Sequence, residues 1–320
     1  MKNSIVRRAA SNPGWLKEIL LKLCKDSTID IPGVTRGLIS VGHLVLILIA
    51  IALPIIFYLI YRNKSDVKKL KFLRFLSFLI PFLYALDFFF QPFYRQANGD
   101  LGSLTTDKLP FHICTLCGVL IPFVYFNRKC RKFRDIVVVW SFIAAAIYII
   151  YPGHVLDDTP VLSYSVLQSF MYHILLILWS MMMFMTRATE FKLKNWWRPI
   201  PLLFIEILWA SIGNSMYYPT EDFFFLRDDP AWFGLGFLND LGITWMFIPI
   251  MLIAMSSLSA LLYVVFALIN KKRDAKVGLI DIKNKDLLVY DVAPALPLDD
   301  PILNQKEEKK PINKESKESA

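Results

Sequence analysis

The chain has 320 residues, 55% of them hydrophobic, and its 36 basic and 27 acidic residues give it a formal net charge of +9. Apolar runs of about twenty residues recur through most of the chain, which is typical of a polytopic membrane protein and excludes an ordinary soluble domain. The basic residues lie in short segments between these runs, and no nucleic-acid-binding motif is present. The distribution of the positive charge therefore indicates the membrane topology, and no nucleic-acid partner is expected.

The N-terminal segment, residues 1–36, contains one amphipathic stretch. Within GWLKEILLKLCK, residues 14–25, the apolar side chains Trp15, Ile19, Leu20 and Leu23 fall near one helical face. This spacing predicts either a helix that lies in the membrane interface or an ordinary packed surface helix. No cleavable signal peptide is expected, because the first long apolar run begins only near Gly37.

Seven apolar segments follow, each with roughly the length that a ~30 Å hydrocarbon core requires. They are residues 37–61, 72–93, 109–126, 136–153, 164–186, 196–218 and 243–270, called here spans one to seven. Spans three and four are the shortest. The pattern predicts an all-α membrane helix bundle of about seven transmembrane helices over residues 37–270. Residues 271–320 are rich in Lys and Glu, which predicts a cytoplasmic and largely disordered tail.

The Lys and Arg content of the connecting segments predicts the orientation of the bundle. The segments after spans one, three, five and seven are rich in basic residues, whereas those after spans two, four and six carry only Arg95, Lys108 and Arg227. Basic loops remain on the cytoplasmic side. The alternation therefore predicts a multi-pass protein of the plasma membrane with its N-terminus outside and its C-terminus inside, although residues 1–36 carry seven basic residues.

The cysteines give no disulfide framework and no zinc-site spacing. They are Cys24, Cys114, Cys117 and Cys130. Cys114 and Cys117 are three residues apart on a predicted helix, which favours two small core residues over a redox pair. No cofactor and no metal are expected, although the four histidines of the chain share one side of the bundle and leave zinc as an alternative.

Polar side chains within the apolar segments share a depth, when each is placed at ~1.5 Å per helical residue. Those in the predicted outer half of the bundle are His43, Asp87, His112, Cys114, His154, His173 and Asn214, while Glu206 lies nearer the middle. The inner halves are expected to be almost purely apolar. This distribution predicts one polar pocket that opens toward the outer leaflet and is lined by Asp87, Asn214, Glu206 and His43.

Ionisable side chains at membrane depth are costly, by a few kcal/mol on insertion scales, and are therefore candidates for function. His173 lies in an apolar stretch and is the best candidate for a general base. His112 and Cys114 are two residues apart, so they point to different faces of a helix and do not form a dyad alone. Structural alternatives stay open: His112 as a helix-start residue, and Glu206 and Asn214 as hydrogen-bonding residues between helices.

The segment Leu109–Cys114, LPFHIC, resembles the LPLHLC-type motif of the bacterial YwaF-like integral membrane proteins. The likeness continues through Tyr151-Pro152-Gly153, His173 and Gly242-Ile243-Thr244-Trp245, and it covers roughly residues 35–270. The YwaF-like family is similar to a eukaryotic group that contains transmembrane protein 164, which acts as a phospholipid acyltransferase. It is more remotely similar to membrane hydrolases of fatty acid esters of hydroxy fatty acids.

The resemblance implies roles for individual residues. The eukaryotic motif reads Pro-Cys-His, with the cysteine as proposed nucleophile. In the segment 110–112 of this chain the histidine matches as His112, but Phe111 takes the cysteine position, and Cys114 follows three residues later. The family histidine of span five falls on His173. Where the family has a Gly-Pro-Trp-like segment, this chain has residues 242–245, GITW, which is a further departure.

Three functions stay open on this basis. The first is a membrane-embedded lipid acyltransferase or lipid hydrolase, with His173 as general base, Cys114 or a water activated by His112 as nucleophile, and Asn214 supporting an oxyanion. The second is a small-molecule or lipid transporter or binding protein that uses the same pocket. The third is a non-catalytic membrane scaffold. Membrane lipids are the expected partners, and no protein partner is predicted.

Overall fold

The computed structural model describes residues 15–24, 34, 40–97, 109–152, 160–216, 226 and 235–281. Over these ranges the chain forms helices and turns and no strand. The α-helices are α1 (Trp15–Cys24), α2 (Val41–Tyr61), α3 (Asp66–Ala97), α4 (Ile113–Phe126), α5 (Arg134–Ile150), α6 (Tyr164–Met185), α7 (Ile200–Met216), α8 (Phe237–Asp240) and α9 (Phe247–Asp281). Short 3-10 helices lie at Arg128–Phe133, Leu193–Asn195 and Thr244–Met246.

The all-α membrane bundle predicted from the apolar runs is confirmed. Within the described ranges, 6 helical segments are long and apolar enough to cross a membrane. They are Val41–Tyr61, Asp66–Phe90, Arg128–Ile150, Tyr164–Met185, Leu193–Met216 and Thr244–Arg273. Each corresponds to one predicted span, so the apolar pattern located every one of these long helices.

Span three is shorter than predicted. The helix α4 has 14 residues, which corresponds to ~21 Å at 1.5 Å per residue. The expectation that this helix starts at Leu109 is wrong, because residues 109–112 form a turn in which the Phe111 amide donates to the Leu109 carbonyl at 2.7 Å. His112 takes the N-cap position with extended backbone angles, and the helix begins at Ile113.

Contacts between helix ends show that consecutive helices run in opposite directions. At one end, called here the histidine end, the start of α2 meets the end of α5 through His43 and Ile149. At the other end, called the basic end, the start of α5 meets the end of α4 through Arg134 and Val124. The result is an up-and-down bundle in which every second connection lies at the basic end.

The helices α5 and α6 form the centre of the bundle. In the most apolar 18 residues of the segments that contain α5 and α6, 61% and 72% of the residues are buried. The corresponding share in α2 is 17%. Trp140 on α5 and Trp179 on α6 are fully buried. Most side chains of α2 are therefore left to face lipid, while the polar residues on the inner helices are shielded from it.

The basic end contains a buried polar network, centred on residues that directly precede the predicted start of span four. The Arg134 guanidinium donates to the carbonyls of Val124, Tyr125 and Ala188 at 2.8, 2.8 and 2.9 Å. The neighbouring Asp135 pairs with Arg198 at 2.8 Å and accepts from the Tyr263 hydroxyl at 2.9 Å. In the sequence, Arg134 and Asp135 follow a run of basic residues that is typical of a loop. The sequence therefore did not indicate that α5 begins at Arg134.

The N-terminal amphipathic stretch is helical, and α1 packs against α3. Its placement in the membrane interface stays a prediction, as do the domain boundaries and the outside N-terminus. At the other end of the chain, α9 continues to Asp281, so residues 271–281 of the predicted tail are helical. The candidate His154 lies outside the described residues.

Candidate functional site

His173 lies on α6 with only 3% of its surface exposed. Its Nδ1 is 2.7 Å from the carbonyl oxygen of Ser169, one turn earlier on the same helix. Because a carbonyl only accepts, Nδ1 carries the proton, and in the neutral imidazole Nε2 keeps its lone pair. The ring also stacks on Tyr148 of α5, with centroids 3.8 Å apart and planes 6° from parallel. These two contacts fix both the tautomer and the orientation of the ring.

Tyr172, the residue before His173 on α6, connects this helix with the start of α4. Its hydroxyl donates to the Cys114 carbonyl at 3.0 Å, and its ring meets the His173 ring edge-on at 5.5 Å. Gly118 makes this contact possible, since a Cβ added there would lie 1.9 Å from the Tyr172 hydroxyl oxygen. Tyr172 and Gly118 therefore set how closely α4 approaches α6.

Cys114 is partly buried in the first turn of α4. Its carbonyl accepts from the Tyr172 hydroxyl at 3.0 Å, and the Tyr172 ring also contacts the His173 ring. Cys114 and His173 thus share Tyr172 as a neighbour, although they come from different helices and are 59 positions apart in the chain.

His43 joins the same group of side chains from α2. It is 1% exposed, its backbone amide donates to the Ser40 hydroxyl at 3.2 Å, and its Nε2 donates to the Ile149 carbonyl at 3.0 Å. Its ring lies edge-on to Phe170, which packs on Tyr148. These contacts give His43 a hydrogen-bonding role between α2 and α5.

Asp87 and His112 lie at the histidine end of the site. Asp87 is 3% exposed on α3 and accepts from the Tyr164 hydroxyl at 3.4 Å. Tyr164 precedes His173 by nine residues on α6, about 13.5 Å along the helix axis. His112 is half-buried, and its carbonyl accepts from the Thr115 hydroxyl and the Leu116 amide. Both side chains therefore lie nearer the end of the bundle than His173.

Glu206 and Asn214 lie on the buried face of α7, with exposed fractions of 0% and 7%. Among the described residues, neither carboxyl oxygen of Glu206 has a hydrogen-bond partner. One interpretation of Glu206 from the sequence was a hydrogen bond between helices. No such bond is formed within the described part of the chain. Burying such a group costs roughly 2–7 kcal/mol, depending on the reference state.

Phe111 occupies the position that the resemblance gives to a cysteine. Its ring is 5% exposed and packs on Trp209 of α7, with centroids 4.9 Å apart. The indole N–H of Trp209 donates to the Pro110 carbonyl at 2.9 Å. The turn before α4 is therefore held against α7, and an aromatic contact replaces a thiol at this position.

Several residues of the site were missed in the sequence, chiefly Tyr148, Tyr172 and Gly118. Aromatic side chains are common in membrane helices, so a tyrosine next to a histidine carries little signal of its own. Gly118 in the middle of an apolar helix was the available sign, because glycine in such a helix marks a close approach of another group. Among the described residues, no group of three or more His, Cys, Asp or Glu side chains could hold a metal ion.

Comparison with known proteins places this arrangement in a family. The profile of the TMEM164 family matches residues 38–270. No curated protein and no solved structure matches the chain. The matched range holds α2 to α8, most of α9 and every candidate site residue, and it is well over half of the 320 residues. The chain therefore belongs to the TMEM164 family.

Proposed function

We propose that this protein is a membrane-embedded enzyme that transfers or hydrolyses acyl groups of lipids, within the YwaF-like group that its LPFHIC segment resembles. The observation that supports this most is the setting of His173. Its Nδ1–H donates to the Ser169 carbonyl at 2.7 Å, and its neighbour Tyr172 also contacts Cys114 through the Cys114 carbonyl. A positioned base and a thiol are the two groups that nucleophilic acyl transfer requires.

The proposed reaction starts with proton transfer from the Cys114 thiol to Nε2 of His173. The sulfur attacks the carbonyl carbon of a lipid ester, the S–C bond forms, and the C–O bond of the ester breaks. The leaving oxygen takes the proton from His173. A hydroxyl group of a second lipid, or water, then gives its proton to His173 and attacks the thioester carbon. The S–C bond breaks, the acyl product is released, and the sulfur takes the proton back from His173, which restores the thiol.

The other candidates take supporting roles in this proposal. Asn214 is assigned to the oxyanion, since acyl transfer needs a donor where negative charge develops. His112 is assigned to activation of water in the hydrolytic variant. Asp87, His43 and Glu206 line the pocket. The site opens toward the outer leaflet if the histidine end faces outside, which is the orientation that the basic loops favour.

A small apolar groove of about 20 Å³ lies between α7 and α9 and is lined by apolar side chains such as Leu203, Ile207 and Met251. Leu203 and Ile207 lie three residues before and one residue after Glu206 on α7. An acyl chain that packs along this groove would therefore lie beside the helix that carries Glu206 and Asn214.

The test is lipid turnover by the purified full chain in vesicles. The vesicles contain a phospholipid labelled in its acyl chain, with and without an unlabelled acceptor lipid. The proposal predicts labelled fatty acid or labelled acceptor lipid that depends on the protein. Turnover equal to that of empty vesicles would contradict it.

A transporter or lipid-binding protein is the second candidate. The carboxyl of Glu206, buried without a hydrogen-bond partner among the described residues, favours it. Ionisable side chains within membrane segments are typical of transport pathways. In the same vesicles this function predicts movement of labelled lipid between leaflets without chemical change.

A further inference from the structure

A second functional surface lies at the basic end, far along the bundle from His173. It is formed by six exposed side chains from the segments that precede α5 and α7: Lys129, Lys132, Phe133, Lys194, Trp196 and Trp197. We call this group the basic–aromatic surface. Phe133, Trp196 and Trp197 are 44%, 47% and 52% exposed. Large aromatic side chains that are exposed beside lysines are not explained by packing within the protein, and such patches mark interaction sites.

The two segments are held together by buried contacts. Arg198, directly after the tryptophans, pairs with Asp135 at 2.8 Å and donates to the Lys132 carbonyl. The indole N–H of Trp140 donates to the Pro199 carbonyl at 2.8 Å. Earlier in the same connection, Phe191 is buried against Tyr263. The exposed residues between Phe191 and Arg198 are therefore displayed by a fixed loop.

The position of the surface matches the headgroup layer of a membrane. Phe133 directly precedes α5, and Trp197 lies three residues before α7, about 5 Å from its first residue. Both helices belong to segments that are long and apolar enough to cross a membrane. Tryptophan and lysine are the residues that lie at the boundary between hydrocarbon and water, with rings among the lipids and ammonium groups at the phosphates.

The charge of the surface is positive, and within the described part of the chain no ion pair involves Lys129, Lys132 or Lys194. The segments 128–134, RKCRKFR, and 193–199, LKNWWRP, contain no acidic residue. Asp135 is buried and engaged by Arg198 and Tyr263. Glu190 pairs with Lys192 at 3.1 Å, outside the surface. Lys129, Lys132 and Lys194 therefore remain as exposed cations beside two tryptophans.

We propose that the basic–aromatic surface binds the headgroups of anionic phospholipids in the leaflet at the basic end. Lys129, Lys132 and Lys194 pair with headgroup phosphates, and Trp196 and Trp197 lie between the headgroups and the acyl chains. Lipid bound here would fix the relative positions of α5 and α7 in the membrane. The inference uses no residue of the proposed reaction, so either proposal can fail alone.

The test compares binding of phosphatidylglycerol and phosphatidylcholine to the delipidated full chain in detergent, by native mass spectrometry. The variant is the triple substitution Lys129→Gln, Lys132→Gln and Lys194→Gln. Each lost charge is expected to weaken phosphatidylglycerol binding about fivefold, so the triple variant should lose about 100-fold, with phosphatidylcholine binding unchanged. Replacing Trp196 and Trp197 by alanine should weaken the binding of phosphatidylglycerol further.

The matched control removes three exposed lysines at the same end, with Lys64→Gln, Lys68→Gln and Lys71→Gln. It should keep most of the phosphatidylglycerol affinity. Equal losses in both triple variants would contradict a defined surface and leave only general charge attraction. Equal affinity of the unmodified protein for both lipids would also overturn the proposal, as would full displacement of the lipid by inorganic phosphate.

The unmodified protein gives a second readout that needs no variant. Raising the ionic strength from about 0.05 M to about 0.5 M should weaken phosphatidylglycerol binding and leave phosphatidylcholine binding in place, because exposed charges are screened over shorter distances. Binding of phosphatidylglycerol that is insensitive to salt would contradict pairing with the lysines.

Discussion

At the scale of single residues, His173 illustrates how burial and hydrogen bonding prepare a side chain for proton transfer. The Ser169 carbonyl accepts a hydrogen bond from Nδ1–H, and Tyr148 covers one face of the ring. A neutral imidazole fixed in this way avoids the cost of burying a charge and still offers a basic nitrogen. His43, by contrast, uses Nε2 itself for a hydrogen bond to Ile149. The two buried histidines therefore suit different roles.

The close contact between Gly118 and Tyr172 gives a prediction about the stability of the protein and its lipid turnover. In Gly118→Ala the new methyl group would lie 1.9 Å from the Tyr172 hydroxyl oxygen, so the tyrosine must move and lose its bond to the Cys114 carbonyl. The unfolding free energy should fall by about 1–3 kcal/mol, as measured by thermal unfolding in detergent. Lipid turnover should fall with it.

The double variant Gly118→Ala with Tyr172→Phe is the control. It removes the clashing oxygen and leaves the ring carbon at 3.1 Å, where a small shift suffices. Stability should recover in part, which a double-mutant cycle measures as a favourable coupling. Purely additive losses would show that the two side chains do not meet.

Cys114 gives the prediction that distinguishes the two nucleophiles. Cys114→Ser should abolish lipid turnover in the acyl-thioester route, because serine is a much weaker nucleophile in the absence of a thiolate. Cys130→Ser, a cysteine in the 3-10 helix at the basic end, should leave turnover unchanged. Full activity in Cys114→Ser would instead assign the attack to a water or to a substrate hydroxyl.

At the scale of elements, hydrophobic runs predicted the membrane helices well and their ends less well. LPFHIC reads as the continuous start of span three, yet α4 begins only at Ile113. Phe111 and Pro110 are instead held by Trp209 of α7, about a hundred residues later. Arg134 and Asp135 look like loop residues for the same reason: their partners come from other helices, and no local pattern reveals a tertiary contact.

The network around Arg134 predicts a large effect on stability. Arg134→Met removes three hydrogen bonds from a guanidinium to buried carbonyls of α4 and of the segment after α6. Bonds to charged groups contribute about 1.5–3 kcal/mol each, so the unfolding free energy should fall by about 3 kcal/mol or more. Lys64→Met, at an exposed position of the same end, is the control for charge loss. A similar melting temperature for both variants would contradict the anchoring role.

At the scale of the whole molecule, the bundle has two chemically different ends. The histidine end gathers His43, Asp87 and Cys114, and the basic end gathers the arginines and their backbone acceptors. Depth along the helices suggested the first set from the sequence, and its common pocket stays a prediction. Depth could not show that Tyr172 contacts both Cys114 and His173, because rotation of each helix about its axis is decided by packing. The inner network was missed for the same reason.

The orientation of the two ends is tested by labelling. In a chain whose other cysteines are replaced by serine, either Cys130 is kept or Asp157→Cys is introduced as the single thiol. A membrane-impermeant maleimide added to intact cells should label the thiol at position 157 and leave Cys130 unlabelled until the membrane is opened, because the basic loops are expected to lie inside. The reverse labelling pattern would invert the predicted topology.

The most direct test of the proposed enzyme is lipid turnover by His173→Ala in vesicles, with Met171→Ala as the matched control. Met171 lies on the same turn of α6, with 47% of its surface exposed. A general base contributes ~10²–10⁴-fold, so His173→Ala should lose turnover by that factor while inserting and folding normally, and Met171→Ala should retain it. Turnover by His173→Ala equal to that of the unmodified protein would contradict the proposed role of His173 and favour the transporter or scaffold functions.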